Sequence, residues 1–164
     1  MRQYFAAGML LLVLAVVESS FLPAVLGGSL RPNLVLVVVS VWAAIRGGEG
    51  YVWAFMGGLF LDLTSSLPVG LYSFSLLIGN VAATIVDRAP IPSPAIRAAT
   101  WVAMVTVVSN GLILAGLAIT GVQFDILYAM TNVILPLLII NPALAIPTYV
   151  VLNRVNLRLK SQEK

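Results

Sequence analysis

Histidine and cysteine are both absent from this chain of 164 residues, and charge is scarce: nine Lys and Arg against six Asp and Glu. Their absence removes the commonest zinc, haem and iron–sulfur ligands, every cysteine nucleophile, every Ser-His arrangement and all disulfides. Most hydrolase chemistry goes with them. The net charge of +3 does not point to nucleic acid, because the basic residues stand singly between apolar runs instead of gathering in a stripe. No phosphate-binding glycine loop, nucleotide motif or metal constellation is present, so no enzymatic activity and no cofactor is expected.

What fills the chain is apolar. Hydrophobic residues make up 60% and the mean hydropathy is +1.05. A soluble domain of this size cannot hide so much apolar surface, so the expected fold class is an all-α integral membrane protein with one membrane domain over 1–164. At about 20 residues per crossing, six transmembrane helices are predicted at 3–22, 30–46, 49–64, 67–86, 98–119 and 126–152. The second and third are short. A dozen apolar residues cover only about 18 Å of a roughly 30 Å hydrocarbon core. These two must extend into polar flanks, thin the bilayer or form a re-entrant hairpin, and two short spans are preferred. Pro136, Pro142 and Pro147 predict a kinked or broken last span, with the break around Asn141-Pro142.

Charge sets the expected orientation. With a cytoplasmic N-terminus, six spans leave Arg31 outside and put the other eight of the nine Lys and Arg inside. Both ends are then cytoplasmic, and a re-entrant hairpin would not change that. Reading the first span as a cleaved signal peptide is disfavoured, because Glu18-Ser-Ser-Phe-Leu-Pro23 lacks a small-x-small cleavage site.

The same folding brings polar residues to the outer side: Glu18 with Ser19 and Ser20, Arg31 with Pro32 and Asn33, Asp62 with Thr64, Ser65 and Ser66, and Asp125. Asp62 is the most informative of them. It closes a glycine-bearing apolar run, where a carboxylate is costly and needs a partner, unless it only ends the helix at the headgroups. A pairing of Arg31 with Asp62 or Glu18 would ease both burial problems, the alternative being independent hydration of each group. A proton relay is disfavoured, because the acids are expected at one level with no histidine to connect them.

Small residues lie within or beside the spans, among them Gly57, Gly58, Gly70, Gly79, Gly111 and Gly116, and predict close helix packing. Asn80, Ser109, Asn110 and Thr106 are read as structural bonds across helices. Trp42, Tyr51, Trp53 and Trp101 are read as interfacial anchors. On the cytoplasmic side, the alternating prolines of 87–97 predict a rigid spacer and hold the fifth helix from starting before Pro94. The alternative is a docking peptide. Arg154, Arg158 and Lys160 suit a basic tail against anionic lipid.

Glu18-Ser-Ser-Phe-Leu-Pro23, then Leu30-Arg-Pro-Asn-Leu34, then Gly57-Gly-Leu-Phe-Leu-Asp-Leu63 with Pro68-Val-Gly70, resembles the bacterial rod-shape-determining MreD family in order and spacing. Glu18, Arg31, Pro32, Asn33, Gly57, Gly58, Asp62, Pro68 and Gly70 carry the likeness as partner-binding or structural motif residues. From Ala98 onward the match lies in hydropathy more than in signature. The resemblance implies a non-enzymatic scaffold of the cell-elongation and peptidoglycan-synthesis machinery in the bacterial cytoplasmic membrane. It implies binding to a single-span MreC-like protein, within a larger complex with MreB, the glycosyltransferase RodA and a class B penicillin-binding transpeptidase. The fold it implies is similar to the S component of energy-coupling-factor vitamin transporters. The alternative functions are therefore a substrate-binding S component or a lipid-handling transporter. The lack of an aromatic-rich, hydrogen-bonding outer loop weighs against a vitamin pocket.

Overall fold

A computed structural model describes residues 2–21, 32–122 and 125–162. Arg31 lies outside the described residues, and with it the expected pairing of Arg31 to Glu18 or Asp62.

Every regular element among the described residues is helical. Helix α1 spans Arg2–Val16 and passes into a π-helical turn, Val17–Phe21. Helix α2 is Leu34–Arg46, and α3 is Gly48–Thr64. Helix α4 is Leu71–Ala82, followed by a 3-10 stretch, Ala83–Arg88. Helix α5 is Pro94–Ile119. A helical turn at Ile126–Tyr128 and a π-helical turn at Ala129–Ile134 lead into α6, Leu135–Gln162.

Local chemistry sets several of these limits. Ser93 caps α5, accepting from the Ile96 N–H, and Pro94 stands in the first turn, where its missing N–H costs nothing. Helix α4 begins four residues after the expected 67, because Gly70 takes φ +96° just ahead of Leu71. The predicted break at Asn141-Pro142 does not occur. Helix α6 carries both Pro142 and Pro147 inside it and continues to Gln162, well past 152. A proline removes one N–H donor but leaves helix on either side, and the polar residues beyond 152 include good helix formers.

Helix α2 is the axis of the bundle. Helices α1, α3, α5 and α6 pack on it, while α1, α3, α4, α5 and α6 follow one another around it. It supplies Val35, Leu36, Val37, Val39 and Val41 to a core completed by Leu76, Trp101, Val102, Val105 and Ala145. Its 13 residues are short for a membrane crossing, and burial explains this: α2 is enclosed by its neighbours.

Buried polar residues sit beside the apolar core, and large aliphatic side chains cover the outside. Ser40, Asn80, Thr106 and Asn141 are fully buried, whereas Ile119 is 88% and Ile139 73% exposed. Among the described residues two helical stretches, Pro94–Ile119 and Ile126–Ser161, are long and apolar enough to cross a membrane.

Candidate functional site

Asp62 sits in the last turn of α3 and is only 2% exposed. Its own helix is a poor place for an anion, since the C-terminal end of a helix carries the negative pole. The start of α4 resolves this. Gly70 is the N-cap of α4 and has no side chain to take up the first free N–H groups. Asp62 supplies the missing acceptor from outside the helix. Its Oδ1 accepts from the Tyr72 N–H at 2.8 Å, and its Oδ2 accepts from the Ser73 N–H at 3.1 Å and the Ser73 hydroxyl at 2.5 Å. The aspartate therefore neither ends a helix at the headgroups nor stands free. It latches α3 to α4.

The two glycines one turn earlier make that latch possible. Successive helix positions point about 100° apart, so Gly57 and Gly58 face different neighbours. A Cβ on Gly57 would meet Val35 Cγ1 at 2.9 Å and Val39 Cγ1 at 3.0 Å, on α2. A Cβ on Gly58 would collide with the Cα of Ser73, on α4. The two glycines thus make two separate notches, and the one at Gly58 brings Ser73 to the carboxylate. Pro68 accepts from the Leu71 N–H at 3.2 Å and closes the turn that delivers Gly70.

A second latch of the same kind closes the start of α2. Asn33 follows Pro32 and is the N-cap, its Oδ1 accepting from the Leu36 N–H at 2.7 Å. Glu18, in the π-helical turn after α1, accepts from the Val35 N–H at 3.1 Å through Oε2, and the Leu34 N–H also faces its carboxylate. In both places a carboxylate near the end of one helix satisfies the free donors of a later one. Asp125 does this within its own turn, accepting from the Tyr128 N–H at 3.1 Å.

The two latches lie at different depths, which corrects the expectation of acids at one level. The Asn33 N–H donates to Asn141 Oδ1 at 3.2 Å, and Asn141 Nδ2 donates to Thr106 Oγ1 at 3.2 Å. Thr106 stands midway along the 26-residue α5, which is about 39 Å long. The start of α2, with Glu18 beside it, is therefore half-way down the bundle. Asp62 lies nearer the far end of α5, because it is bonded to the start of α4, where a Cβ on Gly116 would meet Leu71.

Below Asp62, α4 and α5 are joined by polar groups. Ser109 donates to the Ser75 carbonyl at 2.9 Å, beside Gly79. Asn80 accepts from Trp101 Nε1 at 3.0 Å and donates to the Leu76 carbonyl at 2.9 Å. Thr106 and Ser109 thus bridge helices as expected, whereas Asn110 bonds only within α5, to the Thr106 carbonyl. Trp101 is not an interfacial anchor: it is 1% exposed, in the core. Trp42 does sit at a helix end, with the Arg46 guanidinium 5.7 Å from its ring centre and Glu49 3.5 Å from Arg46 Nε.

Sequence reasoning missed Asn141, Ser73 and Ser75 as partners. Asn141 had a signal: with Leu137 and Ala145 it lies on the buried stripe of α6 at helical spacing. Chemically, the arrangement accepts backbone N–H groups and holds helix starts. Among the described residues no group of three or more Asp or Glu side chains is placed to hold a metal ion. No family model matches the chain, and no curated protein or solved structure matches it.

Proposed function

We propose that the protein is a six-span, non-enzymatic scaffold of the bacterial cytoplasmic membrane that acts in cell elongation, as the resemblance to the MreD family implies. It binds a single-span MreC-like protein and through it joins MreB, RodA and a penicillin-binding transpeptidase. Both chain ends lie in the cytoplasm.

One observation carries this reading: the residues behind the resemblance do one kind of work. Glu18, Asn33, Gly57, Gly58, Asp62 and Gly70 shape or close the starts of α2 and α4. In hydrocarbon, unsatisfied N–H groups cost several kcal/mol each. A motif that removes that cost inside the bundle supports a shared fold whose outer faces meet lipid and partner helices. The apolar exterior, with Phe5, Leu63, Leu127 and Ile139 each more than two-thirds exposed, supports the membrane setting.

The test is affinity purification from the native membrane, followed by mass spectrometry of proteins and small molecules. An MreC-like chain should co-purify, and no vitamin-sized ligand should persist. A stoichiometric small ligand with ATP-binding transporter subunits, and no MreC-like chain, would instead establish the S-component function.

A further inference from the structure

Near its end, α6 presents a shallow, open groove of about 210 Å³ lined by Val151, Arg154, Val155 and Arg158. Their spacing of three and four puts all four on one helical face. Val151 and Val155 are exposed at 60% and 42%, and both arginines are exposed. Among the described residues neither arginine has an ion-pair partner, the one ion pair being Arg46 with Glu49. Toward the bundle centre the same face continues through Pro147, which is exposed, and Leu144 and Ile140, which are half-buried. A partly uncovered apolar strip thus runs down this face of the helix and ends between two guanidinium groups that have no ion-pair partner among the described residues.

We propose that this groove binds one anionic membrane phospholipid, its phosphate held between Arg154 and Arg158 and an acyl chain lying along Val155, Val151 and the strip beyond. A guanidinium presents paired N–H donors that match two phosphate oxygens, which makes arginine suited to this ligand. The apolar floor selects against other anions. A free phosphate gains nothing from Val151 and Val155, and an acidic peptide has no use for a strip that continues into hydrocarbon. The proposal rests on the membrane-spanning reading of α6 and goes beyond it by naming the ligand and its contacts.

The test uses the full chain purified in detergent and mixed with phosphatidylglycerol or phosphatidylcholine, with bound lipid counted by native mass spectrometry. Phosphatidylglycerol should be retained in preference to phosphatidylcholine. Arg154→Gln and Arg158→Gln should each weaken retention about fivefold, the weight of one cation beside an anionic headgroup. Lys160→Gln removes the same charge outside the groove and should leave retention unchanged. Arg154→Lys keeps the charge without the paired donors and should fall between wild type and Arg154→Gln. Equal losses from Lys160→Gln would overturn the proposal in favour of diffuse attraction. Displacement of the lipid by millimolar inorganic phosphate, or arginine-dependent capture of a soluble acidic peptide in place of lipid, would overturn it too. Carbonate extraction of the membranes separates the two readings: a chain that stays membrane-bound but ignores phosphatidylglycerol loses only the groove.

Discussion

Asp62 accepts both the backbone N–H and the hydroxyl of Ser73, so a carboxylate on α3 completes the first turn of α4. Gly70 makes this necessary, since the N-cap of α4 has no side chain of its own to offer. Replacing Asp62 with alanine removes the carboxylate that the Tyr72 and Ser73 N–H groups and the Ser73 hydroxyl bond to, which should cost about 3 kcal/mol. Ser73→Ala removes one donor and should cost about 1 kcal/mol. Because the two residues touch, the double variant should lose less than the sum. Thermal unfolding in detergent reads all three, and strict additivity would show that the contact contributes nothing.

Gly58 should tolerate no side chain. A Cβ there meets the Cα of Ser73, which cannot swing aside as a side-chain tip would. Gly58→Ala should therefore cost about 2 kcal/mol through a forced shift of α4. Leu59→Ala, on the neighbouring outward face, should cost under about 1 kcal/mol. Equal melting temperatures for the two variants would mean that α3 and α4 do not approach closely at this point.

The parts legible in the sequence share a physical cause. A lone aspartate beside paired glycines in an apolar run is costly unless something answers it, so Gly57, Gly58 and Asp62 announce a close helix contact. Asn33 after Pro32 likewise announces a helix start. The identity of the answering group was hidden, because it depends on which helix lies across the gap. Arg31 lies outside the described residues, and among those described the Tyr72 and Ser73 backbone answers the carboxylate. Trp101 is ambiguous in sequence for the same reason: a tryptophan near the start of a span looks interfacial until Asn80 is placed beside it. The depth of Glu18 was hidden because it follows from Asn33 reaching Asn141, more than a hundred residues away in sequence.

Asn141 connects three helices, since it accepts from the Asn33 N–H on the α2 side and donates to Thr106 on α5. Asn141→Leu keeps the volume near that of the native side chain but strands a buried N–H and a hydroxyl oxygen. The loss should be about 2 kcal/mol. Thr106→Val removes one partner and should cost less. Coupling between them in a double-mutant cycle of unfolding free energies is expected, and its absence would show that the bridge is not formed.

Trp101→Phe should separate packing from hydrogen bonding in the core. Phenylalanine fills most of the indole's space, but it leaves Asn80 Oδ1 buried without its donor. The expected cost is about 2 kcal/mol, combining that stranded oxygen with a small cavity. Adding Asn80→Leu to Trp101→Phe removes the stranded acceptor and should restore part of the loss. If the second substitution makes the melting temperature fall further, the indole N–H is not the main contribution of this contact.

Orientation offers the last test, and its motive is the asymmetry of the basic residues. Arg88 and Arg97 flank the proline-rich connection between α4 and α5, and Arg154, Arg158 and Lys160 end α6. The turn between α3 and α4, by contrast, holds Ser65, Ser66, Pro68 and Gly70 without a cation. Positively charged loops stay on the cytoplasmic side during insertion. Reporter fusions within 90–94 and after Lys164 should therefore both read as cytoplasmic, and a fusion between Thr64 and Leu67 as external. The Asp62 latch bears on how the third fusion is made, because both sites lie between Asp62 and Ser73 and an insert after Gly70 would in addition break the cap of α4, so the insert belongs next to Ser65. An external reading after Lys164 would overturn the six-span topology.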